Sequence, residues 1–176
     1  GLEYMHANGI MHRDIKPDNI LMSNELVCKM SDFGVSKMIW ESGSDLVHQS
    51  VGTPAFMSPE LCHIGAVESH GYSDDVWALG ITLYALLMGR LPFYRDDLFE
   101  LYEAIQHDEL CLKECRASPA CQDLLRSMLD KAEPNRICVP DMFKHPWVTD
   151  HGRDPMPPLT LTDDKAIDQV TEEDLH

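Results

Sequence analysis

The spacing of hydrophobic and polar residues predicts a mostly helical chain built around one long helix. Residues 75–88 are apolar at nearly every position, which at this length indicates a helix buried on all sides rather than an amphipathic surface helix. The apolar positions of residues 98–105 recur at the i, i+3, i+4 and i+7 spacing of a surface helix, with Asp96 placed to cap it. Residues 75–88 are therefore expected to form the axis of the core.

Shorter elements are predicted before this helix. Apolar residues ahead of the Asn8-Gly9 pair indicate the end of a helix, and two short apolar runs around the Ser23-Asn24 pair indicate a small hairpin. Residues 32–60 are rich in polar side chains and show no sustained period, so they are expected to form a long functional loop.

The last third of the chain carries two more helix signals and then changes composition. Ser118, a cap residue followed by a proline, predicts a helix whose apolar face includes residues 124–129. A short helix is expected over residues 139–143, and Trp147 is expected to plug the core. Prolines and acidic residues predominate after it, so residues 150–176 are expected to form a linker or tail.

The net charge of the chain limits the partners that it can bind, and its cysteine content indicates the cellular compartment. With 14 basic and 30 acidic residues the chain has a net charge of -16, which repels nucleic acids and anionic lipid surfaces. The six cysteines include no CxxC pair and no zinc-type spacing, so they are expected to be reduced thiols in the cytosol or the nucleus. We therefore expect no nucleic-acid partner and no membrane partner.

Residues 12–19 read His-Arg-Asp-Ile-Lys-Pro-Asp-Asn and bring three kinds of polar group together. Asp14 provides a carboxylate, Lys16 an ammonium group and Asn19 an amide oxygen, which suit the positioning and charge stabilisation that phosphoryl transfer requires. An Asp-Phe-Gly motif at residues 32–34 adds a carboxylate suited to magnesium. The alternative for each residue taken alone is an ordinary turn aspartate, a surface lysine or a helix cap.

Two further motifs in the same order favour the catalytic interpretation. They are Gly-Thr-Pro-Ala-Phe-Met-Ser-Pro-Glu at residues 52–60 and Asp-Val-Trp-Ala-Leu-Gly at residues 75–80. With these motifs the sequence resembles the C-terminal lobe of eukaryotic protein kinases over about residues 1–150. The resemblance implies a mostly α-helical large lobe with a small β-hairpin over residues 1–149, an acidic tail over residues 150–176, and ATP and Mg²⁺ as cofactors.

The resemblance implies a role for each residue of the catalytic segment. Asp14 would orient the substrate hydroxyl group and accept its proton, and Lys16 would contact the γ-phosphate. Asn19 and Asp32 would hold magnesium, while Leu21 would lie under the adenine ring of ATP.

Other residues would hold this segment in place, again by resemblance. Arg13 would pair with an ordered activation loop, and the rings of His12 and Phe33, next to Gly34, would stack in the column that aligns the two lobes. Thr53 would form hydrogen bonds between the catalytic aspartate and lysine.

The remaining motif residues would support the fold and select the substrate. Glu60 would form a buried ion pair with Arg136, and Asp75 would hold the backbone of the catalytic segment. Lys16 and the residue pair 52–53 are similar to those of kinases that act on serine and threonine rather than tyrosine.

The sequence around these motifs resembles one group of kinases in particular. Residues 34–36, 52–60 and 144–157 are similar to the calcium/calmodulin-dependent protein kinase kinases. This resemblance implies a serine/threonine kinase that phosphorylates activation-loop threonines of other kinases, with calmodulin as a partner through a segment not found in these residues. A related interpretation is a fungal or protist activator of the same group that does not bind calmodulin.

Two positions depart from the pattern of these kinases. Ser58 stands where the usual motif has alanine, a small change that is expected to be neutral. Gln49 stands where many kinases carry a phosphorylated threonine, and Ser50 provides the nearest hydroxyl group. We therefore expect activity to be partly independent of phosphorylation of this loop.

The phosphate-binding parts of the smaller kinase lobe are not found in these residues. The chain contains no GxGxxG loop and no VAIK-type lysine, so it is expected to be a fragment that lacks the N-terminal lobe and is inactive alone. The alternative is a truncated, non-catalytic lobe that serves as a binding module.

Overall fold

The computed structural model describes residues 1–39, 45–47, 52–63 and 69–157. Within these residues the chain forms five α-helices, which are α1 (Leu2–Ala7), α2 (Gly71–Met88), α3 (Leu98–His107), α4 (Pro119–Met128) and α5 (Val139–Met142). Single 3-10 turns are found at Pro17–Asn19, Pro54–Phe56, Glu60–Cys62 and Glu133–Asn135. In the described ranges we find no helix that combines the length and the apolar character needed to cross a lipid bilayer.

Six short strands pair as three two-stranded antiparallel sheets in the described part of the chain. The pairs are β1 (Ile10–Met11) with β4 (Lys37–Met38), β2 (Ile20–Met22) with β3 (Cys28–Met30), and β5 (Leu46–Val47) with β6 (Ser69–His70). The β2–β3 pair is the predicted hairpin, in which Leu21 lies opposite Lys29. Strands β4 and β5 lie within residues 32–60, where the sequence predicted only a loop, because two-residue strands have no periodicity to detect.

Helix α2 lies in the core, as predicted, and begins at Gly71 rather than at residue 75. The side chains of Trp77, Ile81 and Tyr84 are fully buried within the main hydrophobic cluster. The prediction that this helix is buried on all sides is wrong for its last turn, because Leu86 and Leu87 are 67% and 43% exposed. An apolar side chain is buried only where another element covers it, and the pattern within one helix does not reveal its neighbours.

A side-chain cap defines the start of α3. The carboxylate of Asp97 accepts hydrogen bonds from the N–H groups of Phe99 and Glu100 at 2.9 and 3.0 Å, so Asp97 is the cap and the prediction of Asp96 is wrong. Asp96 instead accepts a hydrogen bond from the Tyr94 hydroxyl group at 2.8 Å. The two aspartates are adjacent, and only the backbone conformation decides which one faces the free N–H groups of the first turn.

The C-terminal helices pack against α2. Ser118 caps α4 as predicted, because its hydroxyl oxygen accepts a hydrogen bond from the Cys121 N–H group at 3.2 Å. The apolar face of α4 is buried through Leu124 and Met128, which pack in a cluster with α2 and α5. The prediction that Trp147 plugs the core is wrong, because its side chain is 41% exposed in the turns that follow α5.

Candidate active site

Helix α2 fixes the backbone of residues 12–19, which we call the HRD segment. Asp75 is 1% exposed, and its carboxylate accepts hydrogen bonds from the N–H groups of His12 at 2.9 Å and Arg13 at 2.8 Å. The ring of His6 in α1 lies 2.9 Å from the same carboxylate. Arg13 has a φ of 67°, which a residue with a side chain rarely adopts. The buried carboxylate therefore stabilises a strained turn at the start of the HRD segment.

A second set of contacts joins the HRD segment to residues 32–35. The ring centroids of His12 and Phe33 are 5.2 Å apart, and the Nε2 atom of His12 lies 3.0 Å from the carbonyl oxygen of Ser31. The Nε–H group of Arg13 donates to the carbonyl oxygen of Val35 at 2.6 Å. These contacts hold the two polar motifs in one fixed arrangement.

Asp14 lies at the centre of a polar cluster. Its Oδ2 atom accepts hydrogen bonds from Lys16 Nζ at 2.7 Å and Asn19 Nδ2 at 3.1 Å, and its Oδ1 atom accepts from the N–H and hydroxyl groups of Thr53 at 3.0 and 2.9 Å. Burial opposes ionisation of Asp14, but the hydrogen bonds from Lys16 and Thr53 outweigh it and hold its pKa below the usual value. Asp14 is therefore an oriented carboxylate anion at neutral pH.

Thr53 connects the HRD segment to residues 54–60. Its hydroxyl oxygen accepts a hydrogen bond from Lys16 Nζ at 2.9 Å while its hydroxyl group donates to Asp14. Gly52 precedes it with a φ of +105°, and a Cβ atom at this position would lie 2.5 Å from the carbonyl oxygen of Arg13. Only glycine allows the two segments to approach so closely.

Asn19 and Asp32 offer oxygen atoms that suit a magnesium ion. The N–H group of Ser31 donates to the Asn19 carbonyl oxygen at 2.9 Å. Because Ser31 directly precedes Asp32, this bond holds the backbone before Asp32 against Asn19. The Nδ2 atom of Asn19 donates to Asp14, so the amide oxygen is the atom that Asn19 offers to a metal. A carboxylate and an amide oxygen fit Mg²⁺, which takes few protein ligands and keeps water or phosphate for the rest.

A buried ion pair connects Glu60 to Arg136. The Nη1 and Nη2 atoms of Arg136 lie 2.7 and 3.0 Å from the two carboxylate oxygens of Glu60. The side chain of Arg136 is fully buried and also donates to the carbonyl oxygens of Ser73 and Asp130 at 3.2 and 3.1 Å. The pair joins the 3-10 turn after residues 52–59 to the segment before α5.

Comparison with known proteins agrees with this geometry. The family described as the protein kinase domain matches residues 1–148. The chain belongs to the protein kinase family. Residues 12–19, 32–34, 52–60 and 75–80, which resemble kinase motifs, lie within the matched range, and the structure brings them together around Asp14 and α2.

Three curated relatives of this kinase domain illustrate the range of similar proteins. The calcium/calmodulin-dependent protein kinase kinase cmkC of Emericella nidulans is 40% identical over 99% of this chain and 34% of the relative. The calcium/calmodulin-dependent protein kinase kinase of Caenorhabditis elegans is 41% identical over 89% of this chain and 29% of the relative. The serine/threonine-protein kinase GRIK2 of Arabidopsis thaliana is 36% identical over 84% of this chain and 36% of the relative. The chain thus spans about a third of the length of these relatives.

Two predicted residues of the kinase domain lie at the edge of this arrangement or beyond it. Leu21 follows the HRD segment on strand β2 and is 56% exposed, as a side chain that contacts a ligand can be. Ser50, together with Gln49, lies outside the described residues, so the predicted independence from loop phosphorylation stays a prediction.

The structure adds residues that sequence reasoning missed in this kinase domain. Ser58 is fully buried, and its hydroxyl group donates a hydrogen bond to the carboxylate of Asp74. The serine therefore makes a specific polar contact and does more than fit a space that suits a small side chain. The signal in the sequence was the pair of consecutive aspartates at residues 74–75. The motif at residues 75–80 includes only Asp75, and no role was predicted for Asp74 from the sequence.

Proposed function

We propose that the protein is a serine/threonine kinase that transfers the γ-phosphoryl group of ATP to protein substrates. The observation that carries this proposal is the cluster in which Asp14 accepts hydrogen bonds from Lys16, Asn19 and Thr53. A positioned carboxylate beside an ammonium group and metal-binding oxygens is what phosphoryl transfer requires of the protein.

The domain organisation is part of the same proposal. We assign residues 1–149 to the C-terminal lobe of the kinase fold and residues 150–176 to an acidic tail. The family match over residues 1–148 and the greater length of the curated relatives support this division. On this assignment the activity belongs to a longer protein that also provides the phosphate-binding parts of the smaller lobe.

The residues around Asp14 have distinct roles in the proposed reaction. Asp14 orients the substrate hydroxyl group and accepts its proton, and Lys16 contacts the γ-phosphate from its position 2.7 Å from the carboxylate. Asn19 and Asp32 would hold Mg²⁺, which when bound neutralises charge on the phosphates. Leu21, whose side chain is exposed, would lie under the adenine ring of ATP.

The proposed substrates are serine and threonine residues of other kinases. GRIK2 of Arabidopsis thaliana and ssp1 of Schizosaccharomyces pombe are named serine/threonine-protein kinases, which supports the hydroxyl class. Two further relatives are named calcium/calmodulin-dependent protein kinase kinases, which supports kinases as substrates and calmodulin as a partner of the whole protein. No disulfide joins the six cysteines, all of which lie in the described residues, and we propose the cytosol or the nucleus as the compartment.

The first test is the mass of the endogenous protein, measured with an antibody against residues 154–176. A band well above 20.0 kDa is expected, because the proposed kinase needs a smaller lobe. A band at 20.0 kDa would instead favour the alternative of a non-catalytic lobe that acts as a binding module.

The second test is the Asp14→Asn substitution in that longer protein. We expect kcat for peptide phosphorylation to fall by about 10²- to 10⁴-fold, because the substitution removes the proton acceptor. Asp18→Asn is the matched control, since Asp18 is an exposed aspartate in the same segment, and it should leave kcat nearly unchanged. Equal activity of the Asp14→Asn variant and the wild type would contradict the proposal.

A further inference from the structure

A buried carboxylate with two serine partners lies one residue before the carboxylate that holds the HRD segment. Asp74, in the first turn of α2, is 7% exposed. Its Oδ1 atom accepts a hydrogen bond from the Ser58 hydroxyl group at 2.5 Å, and its Oδ2 atom accepts one from the Ser69 hydroxyl group at 2.7 Å. Both serines are fully buried.

This cluster joins three separate segments of the chain. Ser58 belongs to residues 53–60, which begin with the Thr53 that contacts Asp14. Ser69 belongs to strand β6, and Asp74 belongs to α2. The neighbouring Asp75 holds the HRD segment, so consecutive carboxylates of α2 hold the two sides of the candidate active site.

The charged groups around Asp74 do little to stabilise a negative charge on its buried carboxylate. Glu60, on the turn that follows Ser58, opposes a negative charge on Asp74, while Arg136 favours it but is already paired with Glu60. A small cavity lies beside Asp74, and three more charged side chains line it. These side chains belong to Arg13, Asp14 and Asp75, and each of them is already hydrogen-bonded to another group. Burial is the largest effect and raises the pKa of Asp74 to about 7, against the hydrogen bonds from the two serines that lower it.

We propose that Asp74 is a positioning residue that, through Ser58, holds residues 53–60 against α2 and so sets the affinity of the kinase for its peptide substrate. The inference rests on the proposed kinase function and adds to it that residues 53–60, which begin with the Thr53 that contacts Asp14, take part in substrate binding. Residues 57–59 are buried, so release of the Ser58 hydrogen bond would free a segment that is otherwise packed into the core.

The direction of the pH dependence follows from linkage. A carboxyl group whose pKa is raised in the closed, buried state binds its proton more tightly there than when water reaches it. The closed state is therefore most favoured below about pH 4, the ordinary pKa of an aspartate, and its stability falls as the pH rises from there through about 7 and then levels off. Local opening of residues 53–60, and with it the KM for the peptide, is expected to increase between about pH 6 and pH 8.

Hydrogen exchange of the 176-residue chain tests the positioning without any catalysis. The reporters are the amide N–H groups of Met57, Leu61 and Cys62, which form backbone hydrogen bonds within this segment. At about pH 8, where the Asp74 carboxylate is ionised, Ser58→Ala should increase their exchange roughly tenfold or more, because it removes a hydrogen bond to a charged group. Ser118→Ala is the matched control, since it removes a serine cap from α4 and does not touch the cluster.

Two outcomes of the exchange experiment decide the point. Faster exchange confined to residues 56–62 in Ser58→Ala supports the inference, and exchange equal to that of Ser118→Ala overturns it. If Ser58→Ala alone does not fold, the comparison is made in the Asp74→Asn background, where the buried charge is absent. There the added Ser58→Ala substitution should still speed the exchange of residues 56–62 relative to Asp74→Asn alone, and an unchanged exchange would overturn the inference.

Kinetics of the longer protein test the link to the substrate. Ser58→Ala should raise the KM for the peptide severalfold with a smaller change in kcat and in the KM for ATP. Asp74→Asn should remove the rise of KM between about pH 6 and pH 8, while Ser118→Ala should keep it. An unchanged peptide KM in Ser58→Ala, or a pH profile that survives Asp74→Asn, would overturn the inference.

Failure of the kinase function itself gives a different result. If the wild-type protein transfers no phosphate although the exchange of residues 56–62 responds to Ser58→Ala, the proposed function and the link to the substrate are both wrong. Only the structural part of the inference then stands, namely that the hydrogen bond between Ser58 and Asp74 holds residues 53–60 against α2.

Discussion

Gly52 lies where two segments of the candidate active site come closest to each other. Its φ of +105° is in the region that favours glycine, and the carbonyl oxygen of Arg13 occupies the place of a side chain. This approach allows the N–H group of Thr53, the next residue, to reach Asp14 at 3.0 Å. A single atom at residue 52 therefore decides whether Asp14 keeps its hydrogen bonds from Thr53.

Replacement of Gly52 by alanine should destabilise the chain and separate Thr53 from Asp14. Gly89→Ala is the matched control, because Gly89 also has a positive φ, of +67°, but no atom lies within 4 Å of its missing Cβ. Both variants should lose about 1–2 kcal/mol from the left-handed backbone. Gly52→Ala should lose about 1–3 kcal/mol more from the clash with Arg13. Urea unfolding of both variants measures the difference, and equal losses would show that the close approach costs nothing.

At the scale of the element, helix α3 depends on which of two adjacent aspartates caps it. The Asp97 carboxylate satisfies two N–H groups of the first turn, while the Asp96 carboxylate accepts from an exposed tyrosine hydroxyl group. Helix starts leave N–H groups without partners, so a cap contributes more than a hydrogen bond at the surface.

Alanine substitution at the two positions should therefore have unequal effects. Asp97→Ala should lower the free energy of unfolding by about 1 kcal/mol, because it removes the cap. Asp96→Ala removes the same charge and should change it by less than about 0.5 kcal/mol. Thermal or urea unfolding of the two variants provides the comparison. A larger loss for Asp96→Ala would contradict the assignment of the cap.

At the scale of the whole molecule, the ion pair of Glu60 and Arg136 joins regions that are far apart in sequence. Its two contacts measure 2.7 and 3.0 Å, and the arginine side chain is fully buried. A buried pair of this kind is weak evidence for net stability, but loss of one partner leaves the other charge buried without compensation.

The Arg136→Met substitution should lower the free energy of unfolding by about 3–5 kcal/mol, because Glu60 remains buried without its partner. Arg90→Met is the matched control, since Arg90 pairs with Glu114 where both side chains are at least half exposed. Its expected loss is about 0–1 kcal/mol. The Arg136→Met, Glu60→Gln double variant should recover part of the loss. Similar losses for Arg136→Met and Arg90→Met would contradict the role of the buried pair.

The sequence by itself determined the features that short-range signals encode. A nearly continuous apolar run located α2, apolar periodicity located α3, and a cap residue before a proline located α4. Turn residues located the β2–β3 hairpin, and four ordered motifs located the chemistry around Asp14. These signals work because helix period, caps and polar motifs depend on neighbours within a few residues along the chain.

Only the tertiary structure decided which residues meet across long separations. The exposure of Leu86 and Trp147 and the contact of Ser58 with Asp74 depend on which other segment lies nearby, and the choice of Asp97 over Asp96 as cap depends on the backbone conformation that the folded chain adopts there. The close approach of Gly52 to Arg13 belongs to the same class. Burial and hydrogen bonding between distant segments are properties of the packed molecule, and they decided the surroundings in which each motif residue acts.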